Sequence, residues 1–487
     1  MESTSTNLLF ITTDQQRFDS LPCYGLEFLQ TPNLDRLAAE GVVFERCYTP
    51  APVCVPCRAA WMSGQWPSTT GVLSNGQWLD PATPTWPALL GAAGFRTAAI
   101  GKMHFMPWDQ SGGFHERVIA EDKRHVYLPD DHYQYLRAHG IERPHPTSNP
   151  HYFDWVGAST FPHERKFHVD GYTGDRAADW LQQHGADPFA IWVSFAGPHD
   201  PPEDMADMYY DAPIGQPVGG PEELENKPEA QRSRGAGSLN NSMFRIDPST
   251  ASPEDIRRWR AHYYANISLI DEGIGKMLAA LEAHGSLERT LIIFTSDHGD
   301  SLGDHGLPFK GFFYEGMSHV PMIARGPFTP DGQQRAVAGS RCAGLVSGLD
   351  VVPTFFDVCG VDVPRTVQGR SLAPLLADPS ASIRDVVFCE VTGKAMVTDG
   401  RWKYSHYVSG EAEFYDLSVP PDQMEVENLA GRGEMAQVEG RLRARLLEHW
   451  LHNQQTQQMA TSVPQHPFRA ALEDEYKAQR DSPNRPV

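Results

Sequence analysis

The 487-residue chain exceeds what one ordinary core supports, so two or three domains are expected. Hydrophobic residues at 40% and charged residues at 21% describe a globular protein and exclude a disordered or fibrous one. Acidic residues outnumber basic ones 62 to 41, and a net charge of −21 argues against nucleic-acid binding and requires a local positive site for any anionic substrate.

In chain order, the acidic start and the four-residue apolar run LLFI are too short for a signal peptide. Asn7–Thr13 predicts a buried strand, followed at once by Asp14. Residues 33–40 (NLDRLAAE) predict a helix stopped by Gly41, and VVFERCY a strand. A helical stretch opens over 58–63 behind Pro56. A second helix over 86–93 ends at Gly94 and leads into a strand over 97–100. The runs AIWVSF (190–195) and TLIIFT (290–295) predict central strands, and 255–284 one long amphipathic helix or a pair. Strands alternating with helices, several apolar on both faces, predict an α/β fold with a mostly parallel central sheet sandwiched by helices. Such sheets bind ligands off the carboxyl ends of their strands. Four predicted strands deliver ionisable residues there: Asp14, Lys102 with His104, His199, and Asp297 with His298.

Residues 107–170 and 201–253 read as insertions in a catalytic domain spanning 1–375. Beyond a shift to small polar residues, the pieces VVFCEV, AMVTD and WKYSHY and a helix over 433–450 predict a smaller C-terminal α+β domain, 376–451, carrying an antiparallel sheet. The Gln-, Pro- and charge-rich tail, 452–487, reads as disordered or as an arm packing on another subunit of a homo-oligomer. No window holds 18 consecutive apolar residues, so no membrane helix is expected, and seven scattered cysteines suggest reduced thiols in a cytoplasm.

The segment PAPVCVPCRAAWMSG (50–64) reads as a turn entering a helix with Cys54 at or near its N-terminus, where positive potential favours a thiolate or an anion. Cys54 and Cys57 also form a C-x-x-C, a redox rival; a zinc site would lack a second such pair. The sequence Cys54-Val55-Pro56-Cys57-Arg58, with Ala59-Ala60 and Ser63-Gly64, closely resembles the C-x-P-x-R signature of the sulfatase family. TPNLDRLAAEGVVFERCY, Gly101-Lys102-Met103-His104, Gly197-Pro198-His199, FTSDHGDSLGDHGLPFKG and FYDLSVPPDQMEVENLA resemble further family segments in the family's order.

That resemblance implies an alkaline phosphatase-like fold and hydrolysis of sulfate esters. It also implies oxidation of Cys54 to the aldehyde formylglycine by a formylglycine-generating enzyme. One divalent ion, calcium or alternatively manganese, would be held by Asp14, Gln15, Asp297, His298 and the modified Cys54. Gln15 stands where many members carry a second Asp. Arg58 would hold the modified side chain, Lys102 and Lys310 would bind sulfate oxygens, and Asn75 matches a substrate-contacting position of some relatives. His104 would be the base that expels sulfate, and His199 the acid for the leaving oxygen. The expected substrate is a small aryl, alkyl, choline-like or carbohydrate sulfate. Phosphonate monoester or phosphodiester hydrolysis on the same site, and non-catalytic binding, are the alternatives. Trp66, Trp78 and Trp108 are candidates for an aromatic wall, and His115, His125 and Tyr127 for pocket residues.

Overall fold

A computed structural model describes residues 5–121, 128–145, 157–235, 248, 251–454 and 461–462. The large sheet has nine strands: β1 (Asn7–Thr13), β2 (Val42–Tyr48), β3 (Arg96–Gly101), β4 (Glu116–Ile119), β5 (Phe189–Ser194), β6 (Thr290–Ser296), β7 (His319–Val320), β8 (Met322–Arg325) and β9 (Ser340–Ser347). Their spatial order is β9-β2-β8-β6-β1-β5-β3-β4, with β7 pairing β2 off that path. Every pairing is parallel except those made by β7 and β8. In the centre, Ile11 lies beside Val193 on one side and Phe294 on the other.

The principal helices are α1 (Pro32–Glu40), α2 (Cys54–Ser63), α3 (Val169–His184), α4 (Pro253–Ala283), α5 (Val351–Cys359) and α6 (Ala436–Gln454). Strand β1 is buried along its whole length because both faces are covered. Leu8 and Phe10 join a core with Trp61 of α2 and Phe355 of α5. Leu9 and Ile11 join a second core with residues of α1, α3 and α4. The expected long helix is the single element α4. It starts two residues earlier than its sequence pattern suggests because Ser252 Oγ accepts from the Asp255 N–H while the Asp255 carboxylate accepts from the Ser252 N–H. Its contact with α3 passes through Gly174 and Gly273: a Cβ on Gly174 would lie 2.7 Å from Gly273 Cα.

The C-terminal strands β10 (Val387–Val391), β11 (Lys394–Thr398), β12 (Trp402–Tyr407) and β13 (Ala412–Asp416) form an antiparallel sheet in chain order. One face packs on Leu442 and Leu446 of α6. From the other, Val387, Cys389 and Met396 enter the core of the large sheet. A 3-10 turn, Gly433–Met435, precedes α6, so the α-helix runs later than 433–450 at both ends. Of the tail, 452–454 end α6, and Thr461–Ser462 pairs with Gln77–Trp78. No helix among the described residues is long and apolar enough to cross a membrane.

Candidate active site

The parallel strands end on one edge, and backbone bonds tie those ends together. Asp14 N donates to Gly197 O at 2.9 Å, Lys102 N to Ser194 O at 2.9 Å, and Asp297 N to Thr13 O at 3.1 Å. Gly101 makes one of these junctions possible: its φ is +99°, and a Cβ there would lie 2.0 Å from Ser194 O. Facing this edge is α2, which begins at Cys54 itself, so Cys54 stands at the helix N-terminus as its segment predicts, and the helical stretch expected over 58–63 is the rest of the same helix. Val53, at the cap, gives the helix no side-chain acceptor. Asn75 Oδ1 instead accepts from the Val55 N–H at 3.0 Å, so Asn75 orients the turn carrying Cys54.

Around Cys54 the structure gathers Asp14, Asp297, His298, Arg58, Lys102 and Lys310. Lys310 Nζ lies 2.9 Å from Cys54 Sγ and 3.3 Å from Asp14 Oδ1; His298 Nε2 is 3.3 Å from the sulfur. Lys102 Nζ reaches Asp14 Oδ2 at 2.8 Å. Arg58 Nε donates to Asp297 Oδ2 at 2.9 Å, and its other nitrogens reach Asp14 Oδ2, Lys102 O and Ser194 Oγ. Cys54, Arg58, Lys102, Asp14, Asp297 and His298 are completely buried. Burial and Asp14 push the Cys54 thiol up, but Lys310, Lys102 and His298 outweigh them and hold it well below the ordinary thiol range. The positive site demanded by the acidic composition is therefore built from three cations at one strand edge. All seven cysteines are free, and burial and Asp297 push the Cys57 thiol well up, so the C-x-x-C is no redox pair here.

His104 and His199 are half-buried. His104 sits at φ +58°, unusual for a non-glycine residue, and its N–H donates to Glu121 Oε1 at 3.0 Å, as does that of Met103 at 3.2 Å. His199 N–H donates to Asn266 Oδ1 at 2.6 Å. The Asn266 amide in turn donates to Asp170, whose other oxygen accepts from Ala196 and Gly197. Glu121, Asp170 and Asn266 thus shape the backbone that carries both histidines. Glu121 and Asp170 lie in the stretch read as an insertion, and nothing in their sequence surroundings distinguishes them. Gln15, at φ +70°, donates its N–H to Asp297 Oδ1 at 3.0 Å and its amide N–H to Asp300, so the amide oxygen is the atom it could offer a cation.

Other candidates lie elsewhere. Trp66 packs on Phe388 and His449 at the small sheet, and Trp78 on Phe105. Trp108 is half-buried, its carbonyl accepting from Arg117. His115 hydrogen-bonds Thr97 near the amino end of β3, the end opposite the site. His125 and Tyr127 lie outside the described residues.

Ligand atoms of Asp14, Cys54, Asp297 and His298 all lie within 4.8 Å of one another. Burial and the neighbouring Asp14 push the Asp297 carboxyl up to about 6. A divalent cation would relieve that repulsion, and two carboxylates, an amide oxygen and an imidazole suit one, so the residues fit.

A profile of the sulfatase family matches residues 6–361, and the profile "N-sulphoglucosamine sulphohydrolase, C-terminal" matches 303–452. The choline-sulfatase of Rhizobium meliloti is 31% identical over 458 residues, covering 88% of this chain and 83% of that protein. The arylsulfatase of Clostridium perfringens is 28% identical over 443 residues, covering 86% and 89%. The crystal structure of the phosphonate monoester hydrolase of Agrobacterium radiobacter superposes with a TM-score of 0.76 at 26% identity, covering 92% and 96%.

Proposed function

This chain belongs to the sulfatase family, a metal-dependent hydrolase family of the alkaline phosphatase superfamily, and from that premise we propose that it releases sulfate from a small aryl, alkyl, choline-like or short carbohydrate sulfate in the cytoplasm. The observation that carries this reading is the convergence of Arg58, Lys102 and Lys310 on a buried, helix-terminal Cys54. Family membership implies that Cys54 is oxidised to formylglycine and that a divalent ion is bound. Hydrated formylglycine at position 54 would supply the nucleophilic hydroxyl and a second hydroxyl for sulfate release, and a divalent ion held by Asp14, Gln15, Asp297 and His298 would supply positive charge to the reacting oxygens.

The remaining chemistry falls to this chain's own side chains. Lys102 and Lys310 hold the sulfate oxygens and stabilise charge developing there. Arg58, fixed by Asp297 and Ser194, orients residue 54. His199 gives a proton to the departing alcohol oxygen, and His104 takes one from the second hydroxyl, each worth about 10²–10⁴-fold. Asn75, held against the first turn of α2 by the Val55 N–H, contacts the substrate. The complete burial of Cys54, Arg58, Lys102 and His298 favours a slim ester over a polymer interior. For the metal, the oxygens of Asp14, Gln15 and Asp297 favour calcium; the His298 nitrogen makes manganese the competing ion.

Phosphonate monoester hydrolysis is the second reading, favoured by the likeness to the Agrobacterium radiobacter enzyme. Rates on p-nitrophenyl sulfate and on a phenyl phosphonate ester, followed by a panel of small sulfate esters, separate the two. A phosphonate preference of several orders of magnitude would replace the sulfatase reading. Metal analysis of the purified enzyme tests calcium.

A further inference from the structure

We propose that a cavity behind the nucleophile helix is a binding site for an organic oxyanion, a sulfate, sulfonate, phosphate or carboxylate carried on a ring-sized body. The cavity of about 420 Å³ opens where α2 ends, between residues 365–370, the start of the small sheet and α6, and Gln65 and Trp66 line it. A helix of ten residues is roughly 15 Å long, so this place is well separated from Cys54.

Four guanidiniums line the cavity, those of Arg365, Arg370, Arg384 and Arg445, with Asp385 as the opposing carboxylate. In a chain of charge −21 this is a local reversal of sign. Arg384 is ion-paired with buried Asp350 at 2.5 Å and Arg445 with Asp385 at 3.0 Å, and His449 Nε2 is hydrogen-bonded to Glu390 at 2.5 Å. Arg365 and Arg370 have no carboxylate partner among the described residues. Two buried donors point to a missing acceptor. The Arg384 side chain is only 7% exposed and Gln65 only 1%, yet Arg384 Nε and Gln65 Nε2 have no hydrogen-bond partner among the described residues. Leaving such groups unmet costs stability, and an oxyanion is the kind of acceptor both lack; it would also balance the charge of Arg365 and of Arg370, whose Nη1 meets only the Ile383 carbonyl.

The rest of the wall defines the body of the ligand. Trp66, Phe388 and His449 form an aromatic corner, with His449 stacked on Phe388 at 3.8 Å and Trp66 edge-on at 5.0 Å from His449. A cavity of this size exceeds what a bare tetrahedral anion fills and lies in the range of small-ligand sites.

Calorimetric titration of the processed enzyme with benzenesulfonate, whose C–S bond an ester hydrolase leaves intact, tests this. Wild type should take two equivalents, one at the catalytic centre and one in the cavity, with inorganic sulfate competing for both. The exposed pair R365A/R370A, and separately Q65L, which leaves the Asp350 ion pair intact, should weaken only the second equivalent, roughly tenfold or more, while ester turnover stays at the wild-type rate. A single equivalent in wild type, or variants that lose both equivalents or neither, overturns the proposal. Loss of turnover on every sulfate ester with the second equivalent retained would strike the functional reading alone.

Discussion

At the carboxyl edge of the large sheet, Asp14 and Asp297 meet Arg58, Lys102 and Lys310 around Cys54. At the seam with the small sheet, Lys403 lies between Glu315 and Glu425. Both clusters are buried and use the same side-chain types, but their valences differ. Lys403 Nζ is 2.5 Å from Glu315, 2.7 Å from Glu425 and 2.8 Å from Phe313 O, so all three of its donors are spent inside the protein. Glu315 also meets His319 at 2.9 Å and Tyr48 at 3.2 Å. Burial works against Glu315's charge, yet Lys403 and His319 hold its carboxyl far below the usual range. The seam cluster closes around its lysine. At the catalytic edge three cations face two carboxylates, and the surplus is directed at residue 54. A buried cluster that satisfies itself holds two sheets together; one with a surplus awaits an anion.

Breaking each cluster should therefore register on different instruments. Cys54→Ala should lower turnover by about 10⁵-fold or more with the thermal midpoint retained, since the residue occupies a helix start and contributes chemistry. Intact-mass analysis of wild type should find sulfur replaced by oxygen and two hydrogens lost at position 54, the signature of the aldehyde, and unmodified Cys54 in active enzyme would reject the mechanism. Lys403→Met should do the reverse. It leaves Glu425 buried without its cation and Glu315 with only His319 and Tyr48, at a cost of about 3–5 kcal/mol in urea unfolding, while the turnover of folded molecules is unchanged. Adding Glu315→Gln and Glu425→Gln should recover most of that loss; no recovery would mean the seam is not held by charge. Lys310→Ala should cost about 10²–10³-fold in kcat/KM and leave stability equal to or above wild type, because it removes one of the mutually repelling cations.

The two regions were also unequally legible in the sequence. The catalytic edge is read from local order: each apolar run ends in its ionisable residue, so Asp14, Lys102 and Asp297 follow from strand periodicity, and the segments resembling sulfatases supply Cys54 and Lys310. The seam is not. Glu315, Lys403 and Glu425 come from three distant elements, and their pairing depends on a docking of two sheets that no local pattern encodes. Glu121, Asp170 and Asn266 stay hidden for the same reason: each acts by accepting backbone N–H bonds from a loop remote in sequence. Trp66 illustrates the converse, an aromatic near Cys54 in sequence that ends beside the small sheet. The position of Cys54 at the start of α2 is legible locally, but the acceptor its cap lacks comes from Asn75, twenty residues on.

Asp304 gives the finest test, because it is a closed pair placed on the loop of the open cluster. Arg17 Nη1 reaches its Oδ2 at 2.8 Å and Arg260 its Oδ1 at 2.7 Å, on the same loop as His298 and Lys310. Burial alone would raise its carboxyl, but Arg17 and Arg260 outweigh burial and bring it to about 2. Between that value and the ordinary carboxylate range near 4, the unfolded chain binds more protons than the native one, so stability rises with pH there. The contribution, about 2 kcal/mol, is complete above that range and is lost as pH falls toward 2. Asp304→Asn should therefore be less stable than wild type by about that amount at neutral pH, with the urea midpoints converging as the pH is lowered, and kcat per folded molecule unchanged. Unchanged midpoints with a tenfold loss of kcat would instead place Asp304 with the catalytic cluster: the Arg17–Asp304–Arg260 buckle would then set the position of Lys310 and not merely fasten the loop that bears it.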